Sequence, residues 1–169
     1  VEVLDYQLTK VQGPYRVDGS RVVIGSEKVL APAAEQDNRA VPFSERLTAQ
    51  VISGTLTYDA EVLLEEEVRY RSRLTLVNGK LEDYARRYLP GTRNLSGVMN
   101  GWLTLAGRGV ETHRMTGAGQ LRISPAALYE LPIMAQIFQV LSLGQPDRTA
   151  FRFAFLDFDI ANDQFVFKD

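Results

Sequence analysis

Alternation with a period of two runs through most of this chain, and it limits the fold more than any other feature. From Glu61 to Asn78 the sequence reads EVLLEEEVRYRSRLTLVN. Val62, Leu64, Val68, Tyr70, Leu74 and Leu76 fall on one side of an extended strand, and Leu63, Glu65, Glu67, Arg69, Arg71, Arg73 and Thr75 fall on the other. Successive strand side chains point to opposite faces, so the pattern predicts a long strand, solvated on one face, in an antiparallel sheet. Glu66 interrupts the apolar side once, and a bulge or a strand break is expected there.

Other segments carry the same period. Val1–Thr9 reads as a mixed strand, and Tyr15–Val17 and Arg21–Ile24 flank Asp18-Gly19, a two-residue hairpin signal. Leu47–Tyr58 reads as a strand kinked at Ser53-Gly54, with Asp59-Ala60 turning into the long strand. Leu95–Gly107 is either two strands joined at Asn100-Gly101 or one strand with unbroken alternation; the alternation favours the second. Met115–Ile123 forms a further strand. Phe151, Phe153 and Phe155 alternate, Phe158 and Ile160 resume after a slip at Leu156, and Asn162-Asp163 turns the chain into Phe165–Phe167. Residues 26–44 lack a period and contain two prolines, which predicts a surface loop.

Two segments have helical spacing. Leu81, Tyr84, Ala85 and Tyr88 recur at i, i+3, i+4 and i+7, and Pro90-Gly91 ends the run at Leu89. The second runs from Ser124 to Leu143, with Ser124 as N-cap, Pro125 at the first helical position, and a stripe of Leu128, Leu131, Met134, Ala135, Phe138 and Leu141 broken by Pro132. About eight to ten strands and two helices make one mainly β domain over residues 1–169, of the α+β class. Strands follow strands directly, which excludes a doubly wound fold.

Composition removes whole classes of chemistry. The chain has 169 residues and no cysteine, so disulfides, thiolate metal sites, iron–sulfur clusters and cysteine catalysis are excluded. Nineteen basic residues against 21 acidic ones give a net charge of −2, which argues against nucleic-acid binding driven by a large overall positive charge. No run of about 18 apolar residues exists to span a bilayer. The chain begins at Val1 without a basic-then-apolar leader, and it reads as a piece of a longer protein. His113, the one histidine, sits between two strand-like runs and lacks the company a catalytic or metal site needs. The glycine pairs Gly107/Gly109 and Gly117/Gly119 lack the third glycine and the following helix of a dinucleotide loop, and read instead as places where a sheet face is approached closely. Glu65, Glu66 and Glu67 cannot converge on a metal, because neighbouring strand residues diverge. No catalytic residue, metal site or cofactor is expected.

The run LSGVMNGWLTLAGRGVETHRMTGAGQLRISPAALYELPIMAQIFQVL (Leu95–Leu141) has a distinctive order, followed by the Phe-rich pair FRFAFLDFDIANDQFVF. This succession of a glycine-bearing strand, a spacer, an x-Gly-x-Gly-x-Leu-x-Ile strand, a Leu-Pro helix and a Phe-rich hairpin resembles the C-terminal region of the AsmA-like family, which includes the TamB- and YhdP-type envelope proteins. The resemblance covers about residues 45–169 and is strongest over 95–169. It implies a curved antiparallel sheet, groove-like or half-barrel-like, with a helix packed at its apolar face or end. It also implies a periplasmic portion of an inner-membrane-anchored protein, taking part in phospholipid transport or outer-membrane assembly, without enzyme activity or cofactor.

Two helices cannot cover eight or more strands, so the sheet either folds on itself or leaves part of an apolar face open to an acyl chain. Candidate groove residues are Val62, Leu64, Val68, Tyr70, Leu74, Leu76, Met99, Leu103 and Leu105; the alternative is that they are plain core beneath the helices. Arg69, Arg71 and Arg73 form a basic ladder that either pairs with acidic neighbours or meets anionic headgroups. Expected partners are phospholipid or another lipid, and envelope proteins. The rival reading is an assembly module that binds a protein through a sheet edge or the apolar face, without carrying lipid.

Overall fold

The computed structural model describes residues 2–3, 6–30, 41–89, 95–127 and 153–168. The strands are β1 (Glu2–Val3), β2 (Tyr6–Gln7), β3 (Thr9–Gln12), β4 (Tyr15–Asp18), β5 (Arg21–Ile24), β6 (Leu47–Val51), β7 (Gly54–Leu63), β8 (Arg69–Lys80), β9 (Ser96–Arg108), β10 (Met115–Ala127), β11 (Ala154–Ala161) and β12 (Gln164–Phe167). The α-helix among the described residues is α1 (Leu81–Tyr88). Short 3₁₀ turns occupy Glu27–Val29, Phe43–Glu45 and Thr112–Arg114. No helix among the described residues is long and apolar enough to cross a membrane.

Ten strands form one antiparallel sheet in the order β12-β11-β10-β9-β8-β7, and β1 and β2 pair only with each other. Beyond β7 the sheet forks. The far edge of β7 takes β6 along Gly54–Tyr58 and β5 along Ala60–Leu63. β3 then pairs β6, and β4 pairs β5. The described sheet is open: it does not close into a barrel.

Several expectations change. Glu61–Asn78 is broken around Glu66, where the interrupted alternation allowed a strand break, and the two halves are separate strands. It is the end of β7, a five-residue loop from Leu64 to Val68, and most of β8, with Leu63 opposite Arg69. Leu64 and Val68 therefore leave the strand face on which alternation placed them. Asp59 and Ala60 lie inside β7 and make no turn. The turn sits earlier, at Ile52-Ser53, where both residues have positive φ (44° and 58°) and Val51 pairs with Gly54. A β-branched residue is rare in that region, and tertiary contacts hold it there. The Ile52 side chain packs against the core cluster, the Lys80 N–H donates to the Ile52 carbonyl at 2.8 Å, and the Ser53 hydroxyl donates to Asp83.

Further along, the single-strand reading of Leu95–Gly107 holds: β9 runs unbroken from Ser96 to Arg108. The first hairpin loop is Gly19-Ser20, one residue beyond the expected pair, and the last is Asn162-Asp163 with both residues at positive φ. Ser124 does not cap a helix. Residues 124–127 continue β10, pairing across to β9, and the remainder of the expected second helix lies outside the described residues. The expected surface loop keeps its two described ends as 3₁₀ turns, and 31–40 lie outside.

The helix α1 forms where its spacing predicts. Glu82 and Asp83 in its first turn and Arg86 and Arg87 in its last oppose the helix dipole favourably. Its buried side, Leu81 and Ala85, packs with Leu95, Met99 and Ile123, while Ile52, Leu76, Tyr84, Leu89, Leu121 and Ala154 close the cluster. This core sits at one end of one sheet face.

Candidate functional site

Register decides which residues share a face. Leu56 lies opposite Leu76, Gly101, Leu121 and Leu156 on successive strands from β7 to β11. The next row is Tyr58, Leu74, Leu103, Gly119, Phe158 and Phe167; the next is Ala60, Ser72, Leu105, Gly117, Ile160 and Phe165. The last is Val62, Tyr70, Gly107 and Met115. One largely apolar face thus runs across six strands, interrupted at Ser72. The glycines keep it low. A Cβ on Gly119 would lie 2.6 Å from the Phe158 ring, and one on Gly107 would lie 2.5 Å from the Tyr70 hydroxyl, so neighbouring side chains lean into the space they leave.

Helix α1 covers the end of this face around Met99, which is buried. The other rows are sealed only in part, at Ala60 and Ile160, which are buried. Val62, Tyr70, Leu74, Leu76, Leu103 and Leu105 are half-buried, and Phe165 and Phe167 at the β12 edge are more than 60% exposed. The expected groove residues therefore divide three ways. Met99 is core, with Leu76 packed against that core from the sheet. Val62, Tyr70, Leu74, Leu103 and Leu105 line the half-open face. Leu64 and Val68 belong to the hairpin loop, with Leu64 exposed.

The opposite face is polar. Arg69, Arg71 and Arg73 do share it, and the apolar rows lie on the other side of the same strand. Arg71 donates from Nε to Glu61 at 2.6 Å, and Arg69 donates to Glu65. Arg73 lies opposite Asp59 and stacks over Trp102 at 5.2 Å. Burial lowers the Arg73 pKa, the nearby Arg46 adds to that, and Asp59 opposes both. The Trp102 indole N–H in turn donates to Gln120, whose amide donates to Asp157.

Where the sheet forks, Asp59 holds the branches together. It is fully buried, and it faces the point where β5 ends and β6 begins. The Ser26 N–H donates to Oδ1 at 2.9 Å, and Arg46 Nε donates to Oδ2 at 2.8 Å, with Nη2 bonding the same oxygen. Gly25 comes so close that a Cβ there would meet Oδ1 at 2.5 Å. Two residues on, Glu61 accepts from Arg21 and Arg71. Burial would raise its pKa; the two arginine hydrogen bonds outweigh this and hold the carboxyl below the usual glutamate range.

Beside Glu61 the polar face opens into a cavity of about 570 Å³, lined by Arg69, Tyr70, Arg71, Arg108 and Arg114 among others. Sequence reasoning found Arg69 and Arg71 from their spacing. It missed Asp59, Arg46, Arg108 and Arg114, because only the β7–β8–β9 register and the fork bring them to this face. His113 is exposed, 3.5 Å from Glu111. No group of three metal-ligating side chains occurs among the described residues. Comparison with protein-family models, with curated proteins and with solved structures finds no match to this chain.

Proposed function

We propose that this chain is a non-catalytic segment of an AsmA-like cell-envelope protein, a periplasmic portion of an inner-membrane-anchored parent, whose sheet takes lipid on its apolar face during phospholipid transport or outer-membrane assembly. The observation that supports this reading is the apolar face itself: it crosses six strands, is covered by α1 at one end, and elsewhere leaves leucines and phenylalanines half-buried or exposed. A soluble fold rarely leaves so large a contiguous apolar patch without a partner for it. In this reading the sheet curves into a groove, and Leu74, Leu103 and Leu105 contact the acyl chains.

The test exploits the difference between open and closed positions on this face. Leu103→Asp places a charge in the proposed acyl path, where desolvating it costs several kcal/mol or more. That variant is expected to fold but to lose the phospholipid that native mass spectrometry finds on the wild-type protein. Met99→Asp is expected to unfold, because its charge is buried unpaired in the core. A photo-crosslinker at Leu103 should capture lipid. Unfolding of Leu103→Asp to the same extent as Met99→Asp, with no lipid adduct at 103, would return these residues to plain core.

A second reading rests on β12. Its outer edge is free among the described residues, and Phe165, Val166 and Phe167 are exposed along it. A free, apolar edge strand is a template for pairing with another strand. In that reading the segment is an assembly module, and Phe167→Pro, which removes an N–H from the outer edge while the inward-facing N–H groups of Val166 and Lys168 keep β12 paired to β11, abolishes partner capture and leaves lipid content unchanged.

A further inference from the structure

We propose that the cleft at the β7–β8 end of the polar face is a binding site for a phosphate group, built by Arg69, Arg71, Arg108 and Arg114. The site lies on the sheet face opposite the apolar rows, and it does not rest on the lipid reading of that face.

The cross-strand geometry carries the argument. Arg69 of β8 lies directly opposite Arg108 of β9, and both line the cleft. Like charges at directly opposed positions destabilise a sheet, and an anion between them reverses the sign of that interaction. Among the described residues no carboxylate lies within ion-pair distance of Arg108. The other three cations are held differently. Arg71 is tied to the buried Glu61. Arg69 and Arg114 are paired with Glu65 and Glu67, which are surface carboxylates on the hairpin loop, and Glu111 stands 3.9 Å from Arg114. Exposed pairs of this kind are worth little and exchange readily for a better acceptor.

The chemistry favours phosphate over a carboxylate. A guanidinium fork takes two oxygens at a time, and one carboxylate cannot satisfy several forks. A phosphate offers three or four oxygens to converging arginines. Leu63 and Ala106 beside them, opposite Arg69 and Arg71 on the same face, supply an apolar surface for the carbon part of an organic phosphate. The protein as a whole carries a net charge of −2, so bulk attraction does not account for anion binding here. A free phosphate ester and a phospholipid headgroup share this chemistry.

Arg108→Gln is the variant of choice, because it removes no partner from a carboxylate; Arg71→Gln would leave the buried Glu61 with Arg21 alone. Arg122→Gln is the charge-matched control, since Arg122 is on the same protein but stacks over Phe153, away from the cleft. The probes are inorganic phosphate and glycerol 3-phosphate by titration calorimetry, and vesicles of phosphatidylcholine with or without phosphatidylglycerol by co-sedimentation. Wild type is expected to bind a phosphate probe or the phosphatidylglycerol vesicles, with Arg108→Gln at least about tenfold weaker, the usual worth of one charge-assisted hydrogen bond. Arg122→Gln should match wild type. Binding of the soluble esters identifies a free-phosphate site, and binding of the phosphatidylglycerol vesicles alone identifies a headgroup site. Absence of all binding, or equal weakening by both variants, overturns the proposal. Equal binding to pure phosphatidylcholine that ignores Arg108→Gln also overturns it, while leaving the apolar face as the lipid surface.

Discussion

Replacing Asp59 by alanine should be among the most damaging single changes in this protein, and the size of the effect follows from its surroundings. The carboxylate is fully buried at the fork of the sheet, and the Arg46 side chain that faces it is 14% exposed. Removing the acid leaves a largely buried guanidinium uncompensated and strips the Ser26 N–H of its acceptor. It also leaves Arg46 repelling the neighbouring Arg73 with nothing between them, an interaction already visible in the lowered Arg73 pKa, whose largest cause is burial. Breaking a buried pair from one side costs about 3–5 kcal/mol. Against a total stability of about 5–15 kcal/mol, that is about a fifth of the margin or more. At this chain length it corresponds to a melting point roughly 6–20 °C lower. Urea titration of the purified domain measures it. Asp59→Asn should fall between the two, since its amide oxygen can still accept from Ser26. The double change Asp59→Ala with Arg46→Met should be less damaging than Asp59→Ala alone, because no buried charge is left unpaired. An Asp59→Ala variant within about 0.5 kcal/mol of wild type would refute the claim that this residue ties the two branches to β7.

Two further outcomes are expected. The Glu61 carboxyl has a folded pKa below its ordinary value of 4.5, so its contribution to stability is complete above that value and is lost as pH falls through the lower folded one. Glu61→Gln should therefore be less stable at neutral pH and show a shallower loss in acid; parallel stability curves would show that Arg21 and Arg71 do not hold this group. Gly101→Val should cost about 1–3 kcal/mol, since a Cβ there would lie 2.5 Å from the Gln120 carbonyl oxygen of the adjoining strand. A silent substitution, measured by thermal melting, would be incompatible with Gly101 lying inside a continuous β9.

Much of the sheet can be read from local pattern, and the failures have a physical cause. Five residues separate Leu63 from its partner Arg69, so even positions pair with even positions across the hairpin. The alternation resumes in phase after the turn, and Glu66 is the one interruption that marks the hairpin. The two-residue turn at Ile52-Ser53 shows in the sequence only as a kink expected one residue later, at Ser53-Gly54, for a different reason. Neither residue favours positive φ, and the turn exists because the Ile52 side chain has a place in the cluster beneath α1 and its carbonyl a donor in Lys80. Ser124-Pro125 carries a strong local helix-start signal, yet pairing of β10 with β9 prevails through Ala127. The arginine ladder was legible because Arg69, Arg71 and Arg73 are neighbours in one strand. The cleft was not, because Arg108 and Arg114 reach it across strands.

What the sequence by itself determined is the set of local decisions. Period-two patterning set which segments become strands and divided β8 into an apolar and a polar side. Helical spacing and the Pro90-Gly91 stop set α1. The absence of cysteine closed off thiol chemistry. What only the tertiary structure decided is how these faces combine, because register joins residues far apart in the chain and leaves no trace in local pattern. Register assembles Leu74, Leu103 and Phe158 into one surface and Arg69 and Arg108 into one repulsive pair. It lets β7 take two partners along one edge, with the Asp59 carboxylate buried where they part. A carboxylate in the middle of a strand reads locally as a solvated residue, and only the arrival of Arg46 and the Ser26 backbone from elsewhere makes its burial stable.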